Sequence, residues 1–263
     1  MIISSRKNPA LARYRELDRD RKCRERERMF NIEGVRLCTE AVNAGVRIVS
    51  AFVTESAVTK YPEAYSALCA VCTPTVIADD LGSYISDTKT PQGLFVTAQM
   101  LDNSGKMSKI ECGRYILLDG LQDAGNIGTI LRTAEALGMS GAVLSPDCAD
   151  IYSPKVVRGA MGSLFRLPTA VTPLPEFIEE LRGDGYTVYA AILDSSAKSL
   201  YETDFPEKCA VVIGNEGNGV SRGVINACDS GIYIPIEGAE SLNAAIAAAI
   251  FCAEIKRQKT VGN

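Results

Sequence analysis

The alternation of apolar and polar residues divides the second half of the chain into strand-like and helix-like segments. Five short runs rich in β-branched residues predict strands at 115–119, 141–145, 187–193, 210–214 and 231–235. Segments with apolar residues at helical spacing separate these runs. The pattern is typical of an α/β domain with a mostly parallel sheet covered by helices on both faces. Ligands bind such sheets beyond the carboxyl ends of the strands, so residues that follow the strands are the first candidates for a site.

The residue pattern in the first half of the chain predicts a smaller α/β unit. A charged helix is expected to run to Glu27, followed by a strand and helix over 30–45, a strand over 46–54, and a turn and strand over 88–99. The polar segment 100–113 is typical of a linker. We therefore expect an N-terminal domain at 1–105 and a C-terminal domain at 106–263.

The distribution of charge adds one feature to this picture. The 263 residues carry a net charge of −4, which argues against a generally basic surface. The stretch 6–28 nevertheless contains ten Lys or Arg and five Asp or Glu. It is either a solvated helix with internal ion pairs or a basic arm that touches RNA phosphates.

Cysteine and histidine usage restricts the chemistry that is available. The nine cysteines are scattered and odd in number, and the chain has no histidine, so we expect free thiols and no metal site. The longest apolar stretch, 242–253, is too short to span a bilayer, and no signal peptide is recognisable. We predict a cytoplasmic protein with no membrane contact. Acid–base chemistry would depend on side chains other than histidine or on the substrate.

A glycine-rich loop follows the predicted strand 210–214. The sequence CAVVIGNEGNGVS at 209–221 is not a phosphate loop, because Val220 occupies the place of the required lysine. Nor is it a dinucleotide fingerprint, since its glycines follow the order G-x-x-G-x-G. Glu216 would also repel a phosphate. The glycines indicate either a tight turn or a ligand that approaches the backbone closely.

Two further segments contain polar residues at the edges of predicted helices. Asn126 lies near a helix start and is either a plain cap or a site residue. Arg132 lies away from the apolar stripe of that helix and is either solvated or grips a phosphate or hydroxyl. Near the C-terminus Ser241 is a natural helix cap, whereas Asn243 fits core packing poorly. The alanine-rich helix that follows is typical of one that is buried or packed against another subunit.

Taken together and in order, these segments resemble a known family. NIGTILRTAEALG, VVIGNEGNGVS and IPIEGAESLNAAIAAAI are similar to the three motifs of the SpoU family of RNA ribose methyltransferases, within the SPOUT superfamily. RGAMGSLFRLP resembles the segment between the first two motifs. SSRKNPALARYREL, FNIEGVRLCTEAV and TKTPQGLF resemble the substrate-binding domain of two-domain members. The third motif has alanines where relatives often have a β-branched residue and a serine, which we expect to alter packing and not chemistry.

The resemblance implies a trefoil-knotted C-terminal domain, a homodimer formed through it, an RNA-binding N-terminal domain, and S-adenosylmethionine as cofactor. The family's cofactor-binding positions fall on Gly214, Ile234, Leu242 and Asn243. Its catalytic and RNA-gripping positions fall on Asn126, Arg132, Glu216, Ser241 and Asn243. Because a guanidinium stays protonated, we expect Arg132 to bind a phosphate and stabilise a developing alkoxide, not to act as a base.

The implied activity is methyl transfer to a ribose 2′-hydroxyl of RNA, with large-subunit ribosomal RNA favoured over transfer RNA by analogy. The basic arm would then contact RNA. A transfer RNA substrate is one alternative, and a non-catalytic RNA-binding assembly factor is another. A phosphate-loop nucleotidase is a third, weakened by Val220. The presence of Arg132, Glu216 and Asn243 favours an enzyme over an inactive relative.

Overall fold

The computed structural model describes residues 2–101, 113–194, 196–238 and 241–261, which form two compact units. The first comprises the chain up to Leu101 together with Asp150–Phe165, and the second comprises the described residues of 113–149 and 166–261. The linker predicted at 100–113 lies almost wholly outside the described residues. The domain boundary at 105/106 therefore stays a prediction.

Helices and strands alternate along both units. The helices are α1 (Pro9–Arg19), α2 (Arg21–Glu27), α3 (Val35–Asn43), α4 (Glu55–Lys60), α5 (Pro62–Val71), α6 (Asp79–Ile85), α7 (Ala124–Ala136), α8 (Pro154–Ala160), α9 (Ser163–Arg166), α10 (Leu174–Gly183), α11 (Arg222–Ala227) and α12 (Ala244–Val261). The strands are β1 (Met29–Glu33), β2 (Ile48–Thr54), β3 (Thr75–Ile77), β4 (Leu94–Gln99), β5 (Arg114–Asp119), β6 (Gly141–Leu144), β7 (Thr169–Val171), β8 (Thr187–Ala191), β9 (Lys198–Ser199), β10 (Cys209–Gly214) and β11 (Ser230–Tyr233).

The first unit is built on a four-stranded sheet in the order β1-β4-β2-β3. β4 is antiparallel to both of its neighbours, and β3 is parallel to β2. The charged segment predicted as one helix is two helices, because Asp20 has an extended backbone and its carboxylate accepts a hydrogen bond from Lys22 N at 2.9 Å, which caps α2.

A segment from the middle of the chain completes the first unit. The ring of Phe30 in β1 lies 4.8 Å from that of Tyr152 and 6.4 Å from that of Phe165, measured between centroids. Arg24, only 4% exposed, donates from Nε to Asp150 Oδ2 at 2.7 Å. Residues 150–165 are therefore held by both a buried ion pair and aromatic packing.

The second unit confirms the predicted α/β class with a mostly parallel sheet. Its seven strands follow the order β7-β6-β5-β10-β8-β11-β9, and every neighbouring pair is parallel. All five predicted strands occur, with ends within two residues of the expected ones. The edge strands β7 and β9 were not predicted, because runs of three and two residues carry no periodic signal.

The strand register brings two of the candidate segments together. Gly214 at the end of β10 pairs with Asp119 at the end of β5. The loops that follow these two strands therefore start side by side at the carboxyl edge of the sheet. This is the edge at which a parallel sheet binds its ligands.

Three further expectations concern membranes, metals and cysteines. No helix in the described part of the chain is both long and apolar enough to cross a membrane. Within the same residues, no group of three or more Cys, Asp or Glu side chains is arranged to hold a metal ion. The cysteines that the structure describes are free thiols.

Candidate active site

The glycine-rich loop after β10 is a tight turn closed by the backbone. Asn215 and Gly219 exchange two backbone hydrogen bonds of 2.9 Å, and Gly219 has a φ of +68°. A Cβ atom on Gly214 would lie far inside van der Waals distance of Gly219 C and Val220 N. The turn itself therefore requires glycine at 214, whether or not a ligand also approaches there.

A buried carboxylate anchors the end of this loop. Asp119, 7% exposed, accepts a hydrogen bond from Ser221 N at 2.7 Å. Ser221 precedes the first residue of α11, so the bond ties the end of β5 to the start of that helix. The exposed tip of the loop, which carries Glu216, lies between Gly214 at the end of β10 and the anchored Ser221.

The carboxylate of Glu216 reaches back to the loop after β5. Its oxygens accept hydrogen bonds from Gln122 N at 3.3 Å, Asp123 N at 3.4 Å and Asn126 Nδ2 at 3.0 Å. Burial raises the pKa of Glu216, but the hydrogen bonds from Asn126 and the backbone amides outweigh it, and the net shift is downward. Glu216 is therefore ionised at neutral pH.

Asn126 lies within the first turn of α7 and is not its cap. Asp123 caps the helix by accepting from Gly125 N at 2.6 Å and from Asn126 N at 3.0 Å. The side chain of Asn126 is thus left for other contacts. It donates to Glu216 and accepts at Oδ1 from Asn243 Nδ2 at 3.0 Å.

Asn243 caps α12, and the sequence prediction that Ser241 would do so is wrong. Asn243 Oδ1 accepts from Ala245 N at 2.9 Å and Ile246 N at 3.3 Å. Ser241 lies two residues earlier, exposed and without helical geometry. Both are polar residues at a helix start, and the sequence does not distinguish which one faces the free amides.

Glu216, Asn126 and Asn243 thus form one hydrogen-bonded chain that joins the three motifs. The carboxylate only accepts, so Asn126 Nδ2 must face it; the amides of α12 only donate, so Asn243 Oδ1 must face them. With these two orientations the remaining ends of the carboxamides are complementary, and Asn243 Nδ2 donates to Asn126 Oδ1. Both carboxamides therefore have one defined orientation, and each keeps a second N–H for another partner.

A cavity of about 650 Å³ lies beside this chain. Six of the eight predicted site residues line it, namely Gly214, Glu216, Ile234, Ser241, Leu242 and Asn243. Its volume falls in the usual range of small-molecule sites, ~300–1,000 Å³. Asp194 and Glu216 are among the residues that line it, and none of the described lining residues is a Lys or Arg. The cavity therefore suits a ligand that carries positive charge better than one that carries phosphates.

The structure does not bring Arg132 to this cluster. Arg132 is exposed on α7, and its side chain forms no hydrogen bond or ion pair with any residue that the structure describes. Six residues separate it from Asn126, which places it about 9 Å along the helix and roughly 120° around it. The two side chains therefore leave the helix in different directions.

Several residues that hold the site together were not predicted from the sequence. Gln122, Asp123 and Asn215 bind the two loops together, and Asp194 lines the cavity. Their only sequence signal is that they are polar residues beside glycines or strand ends, which describes most turns equally well.

Comparison with known proteins gives consistent matches over both units. Residues 113–253 match the SpoU rRNA Methylase family, and residues 8–96 match the MRM3-like substrate binding domain. A 23S rRNA (guanosine(2553)-2′-O)-methyltransferase, RlmP, of Bacillus subtilis is 34% identical over 94% of this chain and 96% of its own length.

Solved structures agree with these matches. An AdoMet-bound rRNA methyltransferase from Sinorhizobium meliloti is 28% identical and superposes with a TM-score of 0.88 over 98% of this chain and 97% of that one. The SpoU methyltransferase AviRb from Streptomyces viridochromogenes, in complex with AdoMet, is also 28% identical, with a TM-score of 0.86 over 98% of this chain and all of the other.

Proposed function

The chain belongs to the SpoU rRNA methylase family, and we propose from this premise that it transfers a methyl group from S-adenosylmethionine to a ribose 2′-hydroxyl of ribosomal RNA. Large-subunit RNA is the favoured substrate, since the Bacillus subtilis relative is named for a 23S guanosine. The observation that carries the proposal is the chain formed by Glu216, Asn126 and Asn243 at the edge of the cavity.

The cavity fits the proposed cofactor in size and charge. S-adenosylmethionine supplies an activated methyl group on a positively charged sulfonium. Asp194 and Glu216 are among the lining residues, and their negative charges complement a positively charged ligand. Gly214, Ile234 and Leu242 would supply backbone and apolar contacts to the cofactor, and Asn243 would lie at the junction with the RNA.

The residues of the hydrogen-bonded chain would position the nucleophile. Ionised Glu216 fixes Asn126, and the cap on α12 fixes Asn243, so the remaining N–H groups of both carboxamides point in defined directions. Preorganised donors of this kind can hold the ribose hydroxyl in line for attack and stabilise the charge that develops on its oxygen. Exposed Ser241 would add a hydroxyl at the same rim.

We propose that Arg132 binds an RNA phosphate from its exposed position on α7. A bidentate guanidinium suits phosphate, whereas its retained proton makes it a poor base. The protein would act in the cytoplasm as a homodimer formed through a trefoil-knotted domain at 106–263.

We assign RNA recognition to the N-terminal domain at 1–105, including the basic arm. Part of the arm's charge is used internally: Arg21 pairs with Glu25, and Arg24 with Asp150. Arg19 and Lys22 are exposed, and their side chains form no ion pair within the described residues. With Lys7 and Arg28, which are likewise exposed and form no side-chain ion pair among the described residues, they are available to RNA phosphates.

The test is methyl transfer to defined RNA. The purified protein is incubated with methyl-labelled S-adenosylmethionine and ribosomal RNA or subunits from cells that lack its gene, and the RNA is hydrolysed with alkali. A 2′-O-methyl group blocks cleavage at its own nucleotide, so label in alkali-resistant dinucleotides of large-subunit RNA is the expected result. Label only in transfer RNA would correct the substrate, and RNA binding without label on either RNA or subunits would support the assembly-factor alternative.

A further inference from the structure

Glu216 holds a defined position although it lies at the exposed tip of a glycine-rich loop. Its carboxylate meets the amides of Gln122 and Asp123 and the side chain of Asn126. A carboxylate on such a loop would otherwise sample many positions, because glycine allows the backbone wide freedom. A further contact holds the loop against the segment that follows β5.

The side chain of Asn215 connects the glycine-rich loop to the segment that follows β5. Its Oδ1 accepts hydrogen bonds from Gly217 N at 2.9 Å and Asn218 N at 3.1 Å, which fixes the turn around Glu216. Its Nδ2 donates to Gly120 O at 2.7 Å. The carboxamide therefore uses one end for its own loop and the other end for the neighbouring loop.

The acceptor on the far side is itself rigidly held. Gly120 N donates to Ser145 Oγ at 2.8 Å, and Ser145 is 5% exposed. Gly120 has a φ of +68°, which turns the chain directly after β5. Gln122, two residues further on, presents its amide to Glu216. The bond from Asn215 to Gly120 thus closes a ring between the two loops.

We propose that Asn215 is a positioning residue that acts on the reaction through Glu216, by clamping the glycine-rich loop to Gly120. The inference rests on the proposed methyl transfer for its kinetic consequence, but the clamp itself can be measured without catalysis. Because Asn215 also lines the cavity, a direct effect on cofactor binding must be separated from an effect through Glu216.

The kinetic test is a double-mutant cycle with Asn215→Ser and Glu216→Ala. Serine keeps an acceptor for the turn amides but is too short to reach Gly120 O. Asn215→Ser should lower kcat for methyl transfer roughly tenfold in the wild-type background and less than about twofold in the Glu216→Ala background, as expected for residues of one network. Equal losses in both backgrounds would overturn the proposal. Asn226→Ser, an exposed change on α11, is the matched control and should leave kcat unchanged.

The second test follows the carboxyl group of Glu216 directly by carbon-13 NMR titration. In the wild type the hydrogen bonds hold its pKa below the usual value, and Asn215→Ser should raise it while Asn226→Ser does not. An unchanged pKa of Glu216 in Asn215→Ser would overturn the clamp. If the wild type transfers no methyl group, the proposed function fails, and this titration still decides the role of Asn215.

Discussion

Glu216 Oε1 and Asn126 Nδ2 lie 3.0 Å apart although 90 residues separate them in the chain. The bond joins an ionised carboxylate to a neutral amide, so it fixes the amide orientation as well as the distance. Asn126 in turn receives the side chain of Asn243. The carboxylate of Glu216 therefore fixes the orientation of Asn126, and Asn126 in turn fixes that of Asn243.

Asn126→Asp should make methyl transfer slow at pH 8 and faster as the pH falls. The new carboxylate cannot donate and would face Glu216 at the same distance, so the pKa of one of the two groups must rise. We expect kcat/KM at pH 8 to fall roughly 100-fold, as for the loss of a preorganised donor. Activity should partly recover as the pH falls, because a shared proton restores a hydrogen bond. Single-turnover rates between pH 5.5 and 8.5 measure this, and wild-type rates at pH 8 would contradict it.

Gly214→Ala should disrupt the loop, whereas Gly217→Ala should not. A Cβ at Gly214 collides with the backbone of Gly219 and Val220, while a Cβ at Gly217 meets only Asn215 Oδ1 at 3.6 Å, an ordinary contact. We expect Gly214→Ala to weaken S-adenosylmethionine binding at least tenfold by calorimetry and to lower the melting temperature, with Gly217→Ala as the control for stability. Wild-type affinity and melting temperature in Gly214→Ala would show that the turn can relax at no cost.

Asp18→Asn should stabilise the protein at pH 8 and not at pH 4. Burial raises the pKa of Asp18 from 3.8 to about 7, an effect that Asp87 and Glu33 increase and Asn31 opposes. The folded state binds this proton more tightly than the unfolded state, so the stability falls as the pH rises between these two values. The variant should melt roughly 5 °C higher than the wild type at pH 8. Exposed Asp80→Asn is the control, and equal melting curves for Asp18→Asn and wild type at pH 8 would contradict the burial effect.

The double variant Arg19→Ala/Lys22→Ala should reduce RNA affinity and its salt dependence. Each lost phosphate contact lowers the slope of log affinity against log salt by about 0.7 to 0.9. We therefore expect a decrease of about 1.5, measured by filter binding at several salt concentrations. Arg21→Ala/Arg26→Ala removes the same charge from residues paired with Glu25 and Glu27 and should change the slope less. Identical slopes for both double variants would mean that net charge alone matters.

Removal of residues 1–105 should destabilise what remains while sparing the cofactor cavity. The deletion removes Phe30, which packs against Tyr152 and Phe165, and Arg24, which pairs with Asp150. All lining residues of the cavity lie beyond the deletion. We expect dye binding to exposed apolar surface and a lower melting temperature, with S-adenosylmethionine affinity within about threefold of wild type. A melting curve like that of the full chain would show that 150–165 does not depend on the N-terminal residues.

The parallel sheet was predictable from the sequence, and six of the predicted site residues line the cavity. β-branched runs such as the one that ends at Gly214 identify buried strands, and the rule that ligands bind at strand ends points to the loops that follow. The helix caps were less predictable. The sequence predicts Asn126 and Ser241 as caps, but the structure uses Asp123 and Asn243, because every nearby Ser, Asn or Asp satisfies the same local preference.

The contacts that assemble the site could not be predicted from local patterns. Periodicity reports which face of an element is buried, but not which distant side chain meets Asn126. The packing of 150–165 against Phe30 has the same character, since it depends on tertiary contacts between residues far apart in sequence. Motif order indicates that the three polar segments belong together, and the structure shows the hydrogen bonds that join them.

The order of the three motifs along the chain, with Asn243 in the last of them, has a consequence for synthesis. A chain is synthesised from its N-terminus and leaves the ribosome in that order, so the residues of the first unit and both earlier motifs emerge before Asn243 does. Neither the cap on α12 nor the bond to Asn126, 117 residues upstream, can form until the last helix has left the exit tunnel. A nascent chain that has not yet exposed Asn243 therefore lacks the third member of the hydrogen-bonded chain, and the first two motifs leave the ribosome before the contact that joins them to the third can form.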